Sequence, residues 1–271
     1  MKKPFLTVLI FFAGTFKLIA AENHPAGARA LSLSNAFVSV SDAWSTFHNQ
    51  AGLARLESFS GGVFYESRFM VDELSHTAGS LVIPASAGTF GASFSQFGKG
   101  TFKEHKVGLA FAKMLTKKIS AAVQLEYLSY RFPENERAAG FATFGAGIVY
   151  AATDGLFLGA HVFNPIQGGI KTPEGVQKMP AVFRIGGHYQ FPKMVLLIFE
   201  TEKNFENPIL FKSGLEFSPV KNLALRFGVS GKPVAYTAGI GFQTGKITTD
   251  IGFSYHGNLG LTPSVSIQFN L

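Results

Sequence analysis

Leu223-Ala-Leu-Arg-Phe-Gly-Val-Ser230 is followed by Ala235-Tyr-Thr-Ala-Gly-Ile-Gly-Phe242 and by Ile247-Thr-Thr-Asp-Ile-Gly-Phe-Ser-Tyr255, with bulky apolar residues recurring at every second position. Successive side chains of a β-strand point to opposite faces. One parity (Leu223, Leu225, Phe227, Val229, Tyr236, Ile240, Phe242, Ile247, Ile251, Phe253, Tyr255) can therefore meet lipid. The other, made of Ala, Gly, Ser, Thr, Arg226 and Asp250, meets an interior. The pattern runs back to Phe211, with Lys212 and Glu216 on the inward parity. It reads as an all-β, antiparallel transmembrane barrel.

Composition supports the same class. The 271 residues include 29 Phe and 30 Gly, and the mean hydropathy is +0.21. No long continuous apolar run follows residue 21. Helical membrane proteins gather apolar residues into runs, whereas barrels distribute them at alternate positions. A soluble sandwich would rarely expose this much Phe, Leu and Ile on one parity. The net charge of +7 is spread over segment ends, without the basic patch and interleaved aromatics that nucleic-acid binding needs. With no cysteine there is no lipid-attachment thiol, disulfide or thiolate metal site.

Residues 1–21 read as a signal peptide: Lys2 and Lys3, an apolar run from Pro4 to Phe16, then Lys17 and the small residues Ala20 and Ala21. The run is shorter than the roughly 20 residues of a membrane span. Residues 22–57 form a distinct N-terminal segment, and 58–271 the barrel. Turn chemistry divides that last part into about fourteen strands, an even number as bacterial barrels require: 58–66, 74–84, 88–97, 101–114, 117–131, 138–150, 154–163, 177–189, 193–203, 207–218, 221–230, 233–243, 246–256 and 260–271.

Connections at 84–88, 115–117, 153–155, 190–192, 218–222 and 244–245 are short. Those at 69–74, 131–137 and 164–176 belong to the opposite end and are mostly longer, which places both termini in the periplasm of a Gram-negative cell. The last strand carries Val265, Ile267, Phe269 and Leu271 on one parity and resembles the signal read by outer-membrane assembly machinery. Pro263 removes a ladder donor and belongs near the strand start.

Signatures of catalysis are missing. Gly239-Ile-Gly-Phe-Gln-Thr-Gly-Lys246 has a mis-spaced first glycine and Ile247 where a phosphate loop needs a hydroxyl, so it reads as a hairpin. The seven histidines are dispersed, without ligand spacing. Ser254 and His256 share a face but point parallel, a poor general-base geometry. The expectation is a protein that is not an enzyme and takes no cofactor or metal. Glu126, Arg184, His188, Lys212, Glu216, Arg226 and Asp250 fall on the inward parity, as do Glu200 and Glu202; such charges must pair or be hydrated.

One stretch carries a family signature. Residues 27–54 contain Gly27, Arg29 and Ala30, then Asp42 and Asn49, then Ala51-Gly52-Leu53. The segment resembles the N-terminal region of PorV/PorQ-like barrels of type IX secretion and, more distantly, of FadL-type long-chain fatty-acid transporters; Gln50 stands where those carry proline. The resemblance implies a fourteen-stranded barrel whose N-terminal segment folds inward as a plug. Asp42 and Asn49 suit N-caps of short helical turns at 43–48 and 50–56. Small residues at 26–34 suit close packing on a wall, and Arg29 has Asp42, Glu126 or Glu216 as candidate partners.

Two functions follow as expectations. The first is a PorV-like accessory or shuttle component, engaging a secretion or assembly complex as well as outer-membrane lipids. The alternative is a FadL-like carrier of a hydrophobic small molecule through the lumen. A carrier needs an apolar cavity with a few converging polar groups, whereas the inward parity is mostly small and polar, which favours the first.

Overall fold

The computed structural model describes residues 23–100, 102–131, 139–172, 175–192, 194–205, 207–231 and 233–271; the expected signal peptide lies outside them. Sixteen strands form in chain order: β1 (Ser60–Ser67), β2 (Ser75–Ala85), β3 (Gly88–Phe97), β4 (Lys103–Met114), β5 (Ile119–Arg131), β6 (Ala139–Ala151), β7 (Leu156–Phe163), β8 (Gly169–Thr172), β9 (Gly175–Lys178), β10 (Val182–Gln190), β11 (Val195–Asn204), β12 (Leu210–Val220), β13 (Leu223–Ser230), β14 (Ala235–Thr244), β15 (Ile247–His256) and β16 (Gly260–Asn270). All but β8 and β9 pair with their neighbours into a closed, antiparallel barrel of fourteen strands. Closure leaves no open edge, because β1 pairs with β16 from Ser60↔Asn270 to Glu66↔Ser264. Pro263 sits just beyond that ladder, where its missing N–H costs nothing.

One segment departs from the expected strand map. Residues 169–178 pair with each other as the β8–β9 hairpin, and the eighth barrel strand begins at Val182 rather than at residue 177. Pro180 explains the late start, since it has no N–H for the ladder. The hairpin instead brings Ile170 and Met179 onto a buried cluster with Leu128, Tyr130, Phe163 and Val182. A second irregularity lies between Phe217 and Val220, where the β12–β13 register shifts around Pro219.

The parity read from the sequence is the parity of the wall. Leu125, Ile185 and Phe211 are each exposed by 65% or more, while the intervening Glu126, Arg184 and Lys212 are under a tenth exposed. On β4 the outward residues between His105 and Lys113 are Val107, Leu109 and Phe111. Eight steps of roughly 3.3 Å at a tilt of about 40° make that band about 20 Å tall, the scale of a thin bilayer core. The turns Ala85–Gly88 and Thr244–Ile247 close one rim. At the other rim the chain passes through the longer stretches at 68–74 and 164–181.

The core is inside the cylinder. Residues 23–57 fold into the lumen, where Leu33, Phe37, Val40, Trp44 and Phe47 cluster with Phe64, Leu196 and Ile198 of the wall. Leu53 and Ala51 join Val82, Ala110, Ala122 and Val149 in a second cluster.

Candidate functional site

The lumen segment is built from very short pieces. Helix α1 (Ala28–Ser32) starts after Gly27, whose φ of 108° is open to glycine and strained for other residues. A Cβ there would also meet the Trp44 indole at 2.7 Å. The chain reverses at Ser34 and Asn35, both left-handed, and the Asn35 N–H donates to the Ala30 carbonyl at 2.8 Å.

Two 3-10 turns follow, Ala43–Phe47 and Gln50–Arg55. The Asp42 carboxylate accepts the Trp44 N–H at 2.8 Å, and Ser45 completes a capping box. Asn49 accepts the Ala51 N–H at 3.2 Å, while its amide donates to the Val38 carbonyl at 2.6 Å and the Ile148 carbonyl at 3.1 Å.

Glycines of the wall make room for this segment. A Cβ at Gly252 would lie 2.7 Å from the Ala28 carbonyl oxygen, one at Gly214 2.9 Å from the Leu33 Cβ, and one at Gly91 2.7 Å from a Leu53 methyl. At Gly239 it would run into the Ser32 hydroxyl, at Gly159 into the Val38 carbonyl and at Gly147 into the Asn49 amide. The plug therefore sits in a girdle where strand side chains have been removed.

Two ion networks fasten it. In the first, Arg29 donates from Nε and Nη2 to Glu216 at 2.9 and 2.8 Å and from Nη1 to Asp42 at 3.2 Å. Arg226 grips the same Glu216 at 2.5 Å and Asp250 at 2.7 Å. In the second, Glu200 accepts the backbone N–H groups of Phe37 and Val38 at 2.8 and 2.9 Å. Lys212 bridges Glu200 and Glu202 at 3.2 and 2.7 Å, and Arg184 donates to Glu202 at 2.8 Å.

Buried ion pairs add little net stability over an apolar filling, but removing one partner costs about 3–5 kcal/mol. These networks therefore fix where the plug sits. Burial pushes the Asp42 carboxyl above the usual carboxylate range, opposed by Arg29 and the Trp44 N–H. Burial also holds the His48 imidazole down, at about 3; its Nε2 donates to the Ala26 carbonyl at 3.0 Å.

Among the expected site residues, Gly27, Arg29, Ala30, Asp42, Asn49, Ala51, Gly52 and Leu53 all lie in the plug, and Ala30, Asp42, Asn49, Ala51 and Leu53 are buried. Arg184, Lys212, Glu216, Arg226 and Asp250 line the lumen in the networks above. His188 stacks on Phe157 at 4.9 Å and meets the Ser39 hydroxyl at 2.8 Å. Glu126 lies apart from Arg29 and accepts the Gln124 amide at 3.1 Å. Val265, Ile267, Phe269 and Leu271 line the outer face of the closing strand and its end.

Sequence reasoning missed Lys106, whose ammonium lies over the rings of Phe47 and Phe163 at 5.5 and 5.8 Å and donates to Asn23 at 2.7 Å. It also missed the wall glycines. Their signal was their position on the inward parity of the strands.

Two cavities flank the plug. At the long-loop rim a space of about 330 Å³ is lined by Met179, Pro180, Val182, Pro208, Leu210 and Pro233, with Arg184, Glu202 and three asparagines supplying polar groups. At the short-turn rim a more polar space of about 230 Å³ is lined by Arg29, Asp42, Glu216, Arg226 and Asp250 among others. The two share no lining residue. On β12, Leu210 faces the first and Glu216 the second, and Leu33 of the plug packs on Gly214 between them. Among the described residues no group of His, Asp and Glu is placed to hold a metal ion.

No protein-family model matches the sequence, and no curated protein matches it. Solved structures do match in fold. The CymD monoaromatic hydrocarbon channel superposes with a TM-score of 0.68 at 12% identity, over 91% of this chain and 97% of that one. The Ralstonia pickettii toluene transporter TbuX gives 0.67 at 13% identity, covering 90% and 98%. A Pseudomonas aeruginosa FadL homologue gives 0.64 at 12%, covering 90% and 98%. In architecture, this chain is similar to the FadL-type hydrophobic transporter barrels.

Proposed function

We propose that the chain is an outer-membrane carrier for a small hydrophobic molecule, with the long-loop rim facing the cell exterior and the termini in the periplasm. The observation that carries this reading is a plug clamped by ion networks between two separate cavities. The outer one mixes Met179, Pro180, Val182, Pro208, Leu210 and Pro233 with the polar Asn23, Arg184, Glu202, Asn204 and Asn207, so it suits a small molecule that carries a polar group on an apolar body. Of its lining, Arg184 is held by Glu202 at 2.8 Å, and its Nη1 is closed off from solvent and without a hydrogen-bond partner among the described residues. The likeness to hydrocarbon and FadL-type channels supports carriage over the secretion-accessory expectation, which rests on the motif at 27–54 and on the small, polar inward parity. Passage requires the plug to shift, because the two cavities share no lining residue and Leu33 and Val38 of the plug pack on the wall at Gly214 and Gly159.

The test is a reversible lock. The hydroxyls of Ser34 and Thr237 lie 3.1 Å apart across the plug–wall boundary, and the chain has no native cysteine. Cells producing the protein are expected to accumulate radiolabelled toluene or oleate faster than cells without it. Oxidised Ser34→Cys/Thr237→Cys protein should lose that increment and regain it in dithiothreitol. No increment for either probe, or unchanged uptake by the locked protein, would refute the reading; recovery of a secretion complex by crosslinking would then favour the accessory role.

A further inference from the structure

The outer wall around β2 to β5 sets two features side by side, a pair of facing cations and an apolar groove. The first is electrostatic. Thr77, Gln96, His105 and Ser129 face outward in register and form one polar row across the four strands. One step nearer the long-loop rim, Lys103 stands directly opposite Arg131. Like charges facing each other across a ladder destabilise it, and neither has a carboxylate partner among the described residues. Asp72, on the connection between β1 and β2, is already held by Lys99 at 3.3 Å.

The second feature is a groove one step the other way, toward the short-turn rim. Gly79 and Ala92 leave its floor low, while Leu81, Phe94, Val107 and Leu109, with Val63 of β1 and Ile267 of β16, stand around an open groove of about 550 Å³. His105 stacks on Phe94 at 6.1 Å and forms the boundary between groove and cations.

We propose that this face is a binding site for a phosphorylated lipid, with the phosphate between Lys103 and Arg131 and an acyl chain laid over Gly79 and Ala92. A phosphate relieves the repulsion of the facing cations and matches the planar fork of the Arg131 guanidinium. The order along the strands, cations first, then polar row, then apolar groove, is the order of groups along an amphiphile. The site rests on the outer-membrane reading only for which leaflet supplies the lipid; binding itself depends neither on orientation nor on carriage.

The full-length protein in detergent micelles, titrated with diphosphoryl lipid A and separately with the uncharged digalactosyl diacylglycerol, tests this by native mass spectrometry. Lipid A should bind saturably. Lys103→Gln/Arg131→Gln should weaken lipid A about twenty-five-fold, from two charges each worth roughly a factor of five, and leave the glycolipid unchanged. Ala92→Phe, which fills the groove, should weaken both. Heat-modifiable migration on a denaturing gel shows that each variant remains a closed barrel, and a second charge-removing pair, Lys103→Ser/Arg131→Ser, replaces the first if it fails that check. Unchanged lipid A affinity in the charge variants, an unaffected Ala92→Phe protein, or displacement of lipid A by inorganic phosphate at matched concentration would overturn the proposal.

Discussion

Replacing Arg29 by alanine should loosen the plug without opening the barrel. The guanidinium makes two charge-assisted hydrogen bonds to Glu216 and one to Asp42. After its removal Glu216 still has Arg226, but Asp42 keeps only the backbone N–H groups of the turn it caps. Breaking such a buried pair costs about 3–5 kcal/mol, and because the Arg29 side chain is 22% exposed the lower figure applies. About 3 kcal/mol multiplies the undocked fraction of the plug roughly 150-fold.

Trp44, the sole tryptophan, is fully buried in the plug and reports this directly. Its acrylamide quenching should rise, and the Leu31 and Asn35 amides should exchange faster, while strand amides of β3 to β5 stay protected. Arg29→Lys, a point charge at a forked site, should fall between. Wild-type quenching and exchange in Arg29→Ala would show that the ion clamp does not hold the plug, and the reasoning here would be wrong.

Other perturbations probe separate contacts. Gly239→Ala places a Cβ against the Ser32 hydroxyl and should cost about 1–3 kcal/mol of plug docking, read by exchange of α1 amides; Ala238→Val, on the lipid face, should be neutral. Glu200→Leu strands the Phe37 and Val38 N–H groups and should lower plug stability by about 3 kcal/mol in the same assay. For His48, whose pKa falls from the ordinary 6.5 to about 3 when buried, the undocked plug binds more protons between those values. Docking stability is thus full above pH 6.5 and is lost progressively as pH falls toward 3. Trp44 quenching should follow that window, and His48→Gln should remove this contribution to it.

The wall was legible because a barrel imposes one rule on every strand. Alternation at 223–255 assigns Phe227 to lipid and Arg226 to the lumen, and the structure keeps both. The plug turns were legible through Asp42 and Asn49, because capping is local chemistry. The β8–β9 hairpin was not, since Gly168, Gly169, Pro173 and Gly175 read as a loop and the pairing is rewarded only by packing of Ile170 on distant strands. The girdle was equally silent: Gly214 or Gly159 alone is a small inward residue, and its purpose depends on Leu33 or Val38, far away in the chain. Glu200 showed as an inward charge, but acceptance of two backbone N–H groups leaves no trace in the sequence.

The central claim is that the plug seals the cylinder at rest. Ion current through the intact protein in a planar bilayer tests it most directly, with insertion verified by heat-modifiable migration of the recovered sample. The account predicts no steady conductance above the bare bilayer, because residues 23–57 pack in the lumen and the two cavities share no lining residue. A stable open-channel current carried by the wild-type protein would contradict it.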